Sequence, residues 1–250
     1  MDEYKMGDFV SLDQYVVTTP GRLPTGYGMA VRVLQICFMA VQFLRCCLKV
    51  YHVKNQVSLG AVNAKIEFKD WLWEQARVSV KHYHSNNGIF ASAEFRKQCK
   101  EDSQMQSFSG VGAQHQNAEA ERAIQVVMYM ARLFMVHVAL HWGEDQSDDL
   151  SLWSFVVDYA VWLYNHIPQR RSRITPIEFA LKTKSNHLDL NHAHVWGCPC
   201  YVLEAKLQDN RKLPKWNRRA CTGQFLGFSK EHSLTVALVR NLHTGYVSPQ

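Results

Sequence analysis

The stretch Gly110 to Arg122, GVGAQHQNAEAER, passes from a glycine-rich turn into a helix, and its reading decides the fold. Asn117 can cap the helix, and Glu119 lies in the first turn, where the dipole favours an acid. Ala120, Ala123, Ile124, Val127, Ala131, Phe134 and Met135 follow at helical spacing. Glu119 and Glu121 sit about 200° apart on such a helix, so both cannot serve one site. Each borders the apolar stripe centred on Ala120. Pattern alone reads both as solvated helix-face acids and selects neither.

Upstream lies KHYHSNNGIF, residues 81–90. Val78 to Tyr83 is rich in β formers and leads into a turn at Asn87-Gly88. Turns that close strands are where enzymes place catalytic carboxylates, yet this one offers two asparagines. Further upstream, GDFVSLDQY (Gly7 to Tyr15) alternates as a strand with Asp13 near its end. Alone, Asp13 reads as a half-exposed strand acid. TTPGRLPTGYG, Thr18 to Gly28, is expected to be loop, and Val31 to Tyr51 has room for two strands. Ser58 caps a helical run with Ala61, Ala64, Phe68, Trp71 and Leu72 on one face. FSGVG, Phe108 to Gly112, is a candidate short strand.

Downstream, Leu152 to Asn165 is amphipathic and ends at Pro168. Thr175-Pro176-Ile177-Glu178 has the cap, proline and glutamate of a helix start. Beyond about Leu190 come short β-rich pieces, VWGCPCYVL, GQFLGFS, LTVALV and GYVSP, which suit a small sheet or barrel. The order is three strands, helix, strand, helix, strand, two helices, then the β module. A mixed sheet with helices on its faces fits the first part.

With 250 residues, 47% of them hydrophobic, the chain can bury a core. A net charge of +6 permits a polyanionic partner without requiring one. Seven cysteines do not form the ladder of a secreted disulfide scaffold, and MDEYKMGD lacks the features of a signal peptide. An intracellular setting, nuclear or cytoplasmic, is expected. Met29 to Leu48 is long enough to cross a bilayer, but Arg32 and Arg45 make that costly, and buried strands are the expectation.

Taken in order, these segments resemble the integrases of copia-type retrotransposons. That family carries Gln-Asn-Gly-x-Ala-Glu-Arg, and Gln116, Asn117, Ala120, Glu121 and Arg122 match it, with Ala118 in place of the glycine. VSLDQ resembles the family's first-acid strand, and KHYHSNNGIF its His-Tyr-His-x-Asp-Asn-Gly turn. LWSFVVDYAVWLYNHIP, RITPIEFA, HAHVWGCPCYVLEAKLQDNRKLPKW and GQFLGFSKEHS resemble the segments that follow. The resemblance spans nearly the whole chain. It implies an α/β fold: a ribonuclease H-like mixed five-stranded sheet flanked by helices, followed by a small β-rich, barrel-like module. The core is placed at 7–168, a basic link and short helix at 169–191, and the module at 192–250.

The resemblance also implies DNA integration by metal-dependent strand transfer, with two Mg²⁺ (or Mn²⁺) held by two Asp and one Glu. Hard cations want charged oxygen ligands, and two of them clamp the attacking and leaving oxygens of an in-line displacement. Carried over, the catalytic set is Asp13, Asn86 and Glu121, with Asp13 and Glu121 as metal ligands. The resemblance, not the pattern, favours Glu121 over Glu119. Asn86 stands where the family has Asp; its amide brings no charge, so weak metal binding and an inactive copy are expected. Ala40, in FMAVQFLRC, stands where a further acid would be. An alternative is an intact enzyme in which Glu94, Glu101 or Asp102 substitutes; another is a non-catalytic nucleic-acid-binding module.

Lys206, Arg211, Lys212, Lys215, Arg218 and Arg219 cluster around Trp216, and Arg170, Arg171 and Arg173 lie nearby in sequence. Such runs are commonly solvated loops; in this family context they are candidate contacts to DNA, both element ends and host target. A multimer is implied, and no membrane partner is expected. His192, His194, Cys198 and Cys200 could serve zinc, but the spacing is not that of a common finger. His82 and His84 share a strand face and read as packing or surface residues.

Overall fold

The computed structural model describes residues 7–22, 33–41, 47–53, 58–110, 112, 114–142, 149–170, 172–183, 188–208, 211–233 and 235–250. Five strands, β1 (Val10–Gly21), β2 (Val33–Val41), β3 (Leu48–Val53), β4 (His82–Ser85) and β5 (Met105–Phe108), form one mixed sheet in the order β3-β2-β1-β4-β5. β1 pairs antiparallel with β2 and parallel with β4, and β4 pairs parallel with β5.

Alternation along β1 assigns its two faces. Val10 and Leu12 pack with α1 (Ser58–Ala76) and α2 (Ala93–Glu101), around Phe68, Leu72, Tyr83 and Phe95. Tyr15 and Val17 pack on the other face with α3 (Ala118–His141) and α4 (Trp153–His166). The sheet is thus a middle layer between two helical layers.

The order of elements follows the sequence reading; several boundaries do not. The loop expected from Thr18 is strand as far as Gly21. Register slips between Val16 and Gly21, so Pro20 falls where no ladder bond is required of it. A Cβ on Gly21 would lie 2.6 Å from the Trp153 indole, so glycine permits that approach. The remainder of the expected loop, 23–28, lies outside the described residues. The third parallel strand is Met105–Phe108 rather than Phe108 to Gly112, and β4 begins at His82 rather than Val78. Within the stretch from 29 to 48, residues 33–41 are strand; 29–32 and 42–46, Cys46 among them, lie outside the described residues.

Thr175 and Glu178 form a reciprocal capping box at α5 (Pro176–Leu181): Thr175 N donates to Glu178 Oε2 at 2.7 Å and Glu178 N to Thr175 Oγ1 at 3.1 Å. Beyond it, β6 (Pro199–Leu203), α6 (Ala205–Gln208), β7 (Ala220–Phe228), β8 (Ala237–Asn241) and β9 (Val247–Pro249) complete the chain. The four strands make an antiparallel meander, β6-β7-β8-β9; the expected barrel-like closure is not seen among the described residues. This second sheet shares its interior with α4. Trp196, Phe225, Leu226 and Leu238 belong to the same cluster as Val156, Tyr159 and Ala160. Tyr159 Oη donates to His194 O at 2.5 Å, and Phe225 meets Tyr159 edge-on.

One described helix, α3, is long and apolar enough to cross a membrane by length and composition. Its inner face, Ala120, Ala123, Ile124, Val127, Ala131 and Val138, is buried.

Candidate active site

Strand pairing brings the first two residues of the expected set together. β1 and β4 run parallel with Leu12 opposite Ser85 as their last pair, so Asp13, within β1, and Asn86, just past the end of β4, follow side by side where that pairing stops. The C-terminal edge of parallel strands is where open α/β sheets gather ligands. Gly88 turns the chain with φ of 135°, a value that favours glycine, and its Cα faces Gln14, the residue after Asp13. The Asn86-Asn87-Gly88 turn therefore lies against β1 just beyond its last pair with β4.

Glu121 arrives from α3. The helix is tied to the sheet at its start: Asn117 Nδ2 donates to Leu12 O at 2.9 Å, and both groups are buried. Asn117 occupies the cap position, but its side chain makes no capping bond; it is spent on the tether instead. Gly110 N donates to Gln116 Oε1 at 2.9 Å, closing the loop that delivers the helix. The result reads out in Asp13. Burial pushes its carboxyl up to about 6; the Gln14 N–H, which donates to Oδ1 at 2.8 Å, opposes this, and the negative charge of Glu121 adds to it. Glu121 is thus near enough for its charge to be felt at Asp13, as the smallest of the three influences.

Asn86 presents a buried Oδ1 with no hydrogen-bond partner, as do Asn117 Oδ1 and Glu119 Oε2. An unpaired buried acceptor costs about 1–3 kcal/mol, so a donor or a cation at this edge would be favoured. Two carboxylates and one amide nonetheless bring only two negative charges, a poor set for hard divalent cations that favour charged oxygen ligands. Among the described residues no group of three or more His, Cys, Asp or Glu is placed to hold a metal.

The substitute acids lie elsewhere. Glu94 starts α2 and is drawn toward lower pKa by its own backbone N–H and by Ser58, on the α1 side of the sheet. Glu101 sits 3.9 Å from Lys97, and Asp102 pairs with Lys65 at 2.6 Å and Lys69 at 2.9 Å. None of the three faces Asp13.

Beside the turn, a polar group that the sequence did not reveal holds β4 to β5. His82 Nε2 and His84 Nδ1 lie 2.7 and 2.8 Å from Ser107 Oγ, and His84 Nε2 lies 3.2 Å from Ser109 Oγ. Burial lowers the pKa of both rings, and Phe9 lies against both. Ser107 and Ser109 carry no motif; only the parallel register, His84 opposite Ser107, places them there.

The basic residues are far from this edge in sequence. Lys206, Arg211, Lys212, Lys215, Trp216, Arg218 and Arg219 are exposed on α6 and the connection to β7, with the Trp216 ring 90% exposed and Lys215 Nζ 5.5 Å from its centroid. Arg170 and Arg173 are exposed ahead of α5, and Arg171 lies outside the described residues. No acid pairs with these cations among the described residues. His192, His194, Cys198 and Cys200 are not gathered as zinc ligands: His194 packs edge-on against Phe225, and burial pushes the Cys200 thiol up to about 11.

The fold is similar to that of retroviral integrases. A chain of the simian T-cell lymphotropic virus intasome in complex with PP2A regulatory subunit B56 gamma matches 96% of this chain over 78% of its own length, with TM-score 0.53 and 12% identity. The catalytic core domain of BIV integrase matches over 70% of this chain and 95% of its own, with TM-score 0.50 and 14% identity. The HTLV-2 integrase catalytic core in complex with magnesium matches at TM-score 0.48 and 14% identity, over 70% of this chain and 97% of its own. No protein-family model and no curated protein matches the sequence. The chain thus has an integrase-like α/β fold.

Proposed function

We propose that the chain is the integrase catalytic domain and following β-rich segment of a copia-type retrotransposon, and that this copy has lost catalysis. The observation that carries the reading is Asn86 at the strand end beside Asp13, with Glu121 brought to bear on Asp13 from α3. On this reading the five-stranded sheet is a ribonuclease H-like core spanning 7–168, residues 169–191 link it, and 192–250 form the second module. The role of the lineage is joining element ends to host DNA by phosphodiester transfer, in a multimer and in an intracellular, nuclear or cytoplasmic, setting. An intact site of this class would use Asp13, an acid at position 86 and Glu121 to hold Mg²⁺ or Mn²⁺, which activates the attacking oxygen and stabilises the leaving one. Asn86 removes one of three charges, so this chain binds such ions weakly.

A second reading is supported by the exposed basic residues around Trp216, which suit a nucleic-acid backbone and a stacked base. On that reading the chain binds DNA without cutting it. The test is strand transfer into plasmid DNA with Mg²⁺ and with Mn²⁺, on the natural chain and on Asn86→Asp in parallel. Joining by Asn86→Asp alone supports the first reading. Joining by the natural chain overturns it. Joining by neither, with salt-sensitive DNA binding intact, favours the second.

A further inference from the structure

Two imidazole nitrogens converge on one point of the sheet surface. His82 Nε2 lies 2.7 Å and His84 Nδ1 2.8 Å from Ser107 Oγ, so a single neutral hydroxyl sits between the rings. The fold builds this convergence. Alternation puts His82 and His84 on one face of β4, and the parallel register sets Ser107 across from His84. Neither ring is loose. Phe9 meets His82 edge-on at 4.7 Å and stacks on His84 at 5.6 Å. His84 is held again from behind: Nε2 lies 3.2 Å from the Oγ of buried Ser109, and the Gln116 backbone also hydrogen-bonds the ring. Burial lowers the pKa of both rings, so both are mostly neutral at pH 7.

We propose that His82 and His84 form a binding site for a divalent transition ion of the zinc class, the ion taking the place that Ser107 Oγ holds. Neutral imidazole is the ligand such ions favour. Zn–N bonds run about 2.0–2.1 Å, so each nitrogen closes by about 0.7 Å as the hydroxyl turns aside. Ser109 sets the tautomer: with Nε2–H donated to its Oγ, His84 presents a lone pair at Nδ1, and metal-bound histidines are oriented by such a bond from the other ring nitrogen. Water completes the shell, since the two rings fill two of its positions. Mg²⁺ is a poor match for the pair, because it wants oxygen. The site shares no residue with Asp13, Asn86 and Glu121 and stands independently of how that edge is read. It reaches the same loop, however: an ion on His84 restrains the ring that Gln116 touches, and Gln116 closes the loop that delivers α3.

Calorimetric titration of the full chain with Zn²⁺ tests it, with paramagnetic Ni²⁺ as the probe in NMR. A saturable site in the micromolar range is expected. His82→Gln and His84→Asn each keep a polar group beside Ser107 while removing a ligand, and each is expected to weaken the site at least about tenfold. Asp13→Asn combined with Glu121→Gln is expected to leave it unchanged. In the natural chain, which needs no variant to fold, Ni²⁺ is expected to broaden the ring signals of His82 and His84 before those of any other histidine. Absence of saturation in the micromolar range, an affinity indifferent to His82→Gln and His84→Asn, or broadening that begins at other histidines would overturn the proposal. So would loss of the site in the Asp13→Asn, Glu121→Gln variant, which would assign the ion to the carboxylate edge instead.

Discussion

The Asn117 amide donates to the carbonyl of Leu12, one residue before Asp13, and so pins the start of α3 over β1 where its pairing with β4 ends. That bond explains why a helix acid is felt at a strand acid across long sequence separation. Replacing Asn117 by Ala leaves the Leu12 carbonyl buried without its donor, at a cost of about 1–3 kcal/mol. With the helix start released, the Asp13 pKa should fall from about 6 toward its ordinary value. Urea denaturation measures the first, and carboxyl-resolved NMR titration the second.

The raised Asp13 pKa makes a directional statement about pH. The folded state holds the proton more tightly than the unfolded chain, whose carboxyl titrates near 3.8. Stability from this group is therefore fully present below about pH 4 and is lost as pH rises through about 6. Asp13→Asn should stabilise the chain at pH 7 by on the order of 1–3 kcal/mol and make little difference at pH 4. Denaturation midpoints at the two pH values check this.

Asn86→Asp adds a third carboxylate to the same edge. Without metal it should lower the melting temperature, because like charges are crowded in a partly buried site. With millimolar Mn²⁺ it should rise above its metal-free value, whereas the natural chain should barely respond. Thermal melts with and without chelator separate the two cases.

On the opposite face, Lys65 is fully buried and reaches Asp102. Burial pushes the Asp102 carboxyl up, and the hydrogen bonds of Lys65, Lys69 and Gln98 together with the Lys65 charge outweigh it, holding it at about 2. Its stabilising contribution is present above about pH 4 and fades as pH falls toward 2. Asp102→Asn strands the Lys65 ammonium and should cost about 3–5 kcal/mol near neutrality. Replacing both residues by apolar ones should recover much of that loss, which equilibrium unfolding of the single and double variants will show.

Much of the architecture was legible because helical and strand periods differ. The run from Ala120 to Met135 and the run from Leu152 to Asn165 declare helices wherever they pack, and the capping residues at Thr175 and Glu178 formed both expected bonds. Pro20 misled because its punctuation is local, while the strand continues through a slip in register that only β2 defines. The start of β5 was misplaced for a related reason: a short parallel strand is fixed by its neighbour, here Lys81 O accepting from Met105 N at 2.8 Å. At the candidate site, motif matching could name Asp13, Asn86 and Glu121. It could not show that Asn117 abandons its cap for Leu12, nor that Ser107 bridges two histidines, because both depend on pairing between distant segments.

The interior shared by α4 and the second sheet bears on how such a chain can be cut or inherited. Trp153 closes over Gly21 at one end of α4, while Tyr159 holds the His194 carbonyl and Phe225 further along it. A break anywhere between Pro168 and Val195 leaves Tyr159 and Trp162 bare on one fragment and Trp196 and Phe225 bare on the other. The cluster under α1 and α2 would survive such a break, whereas the one around α4 would be divided between the two pieces.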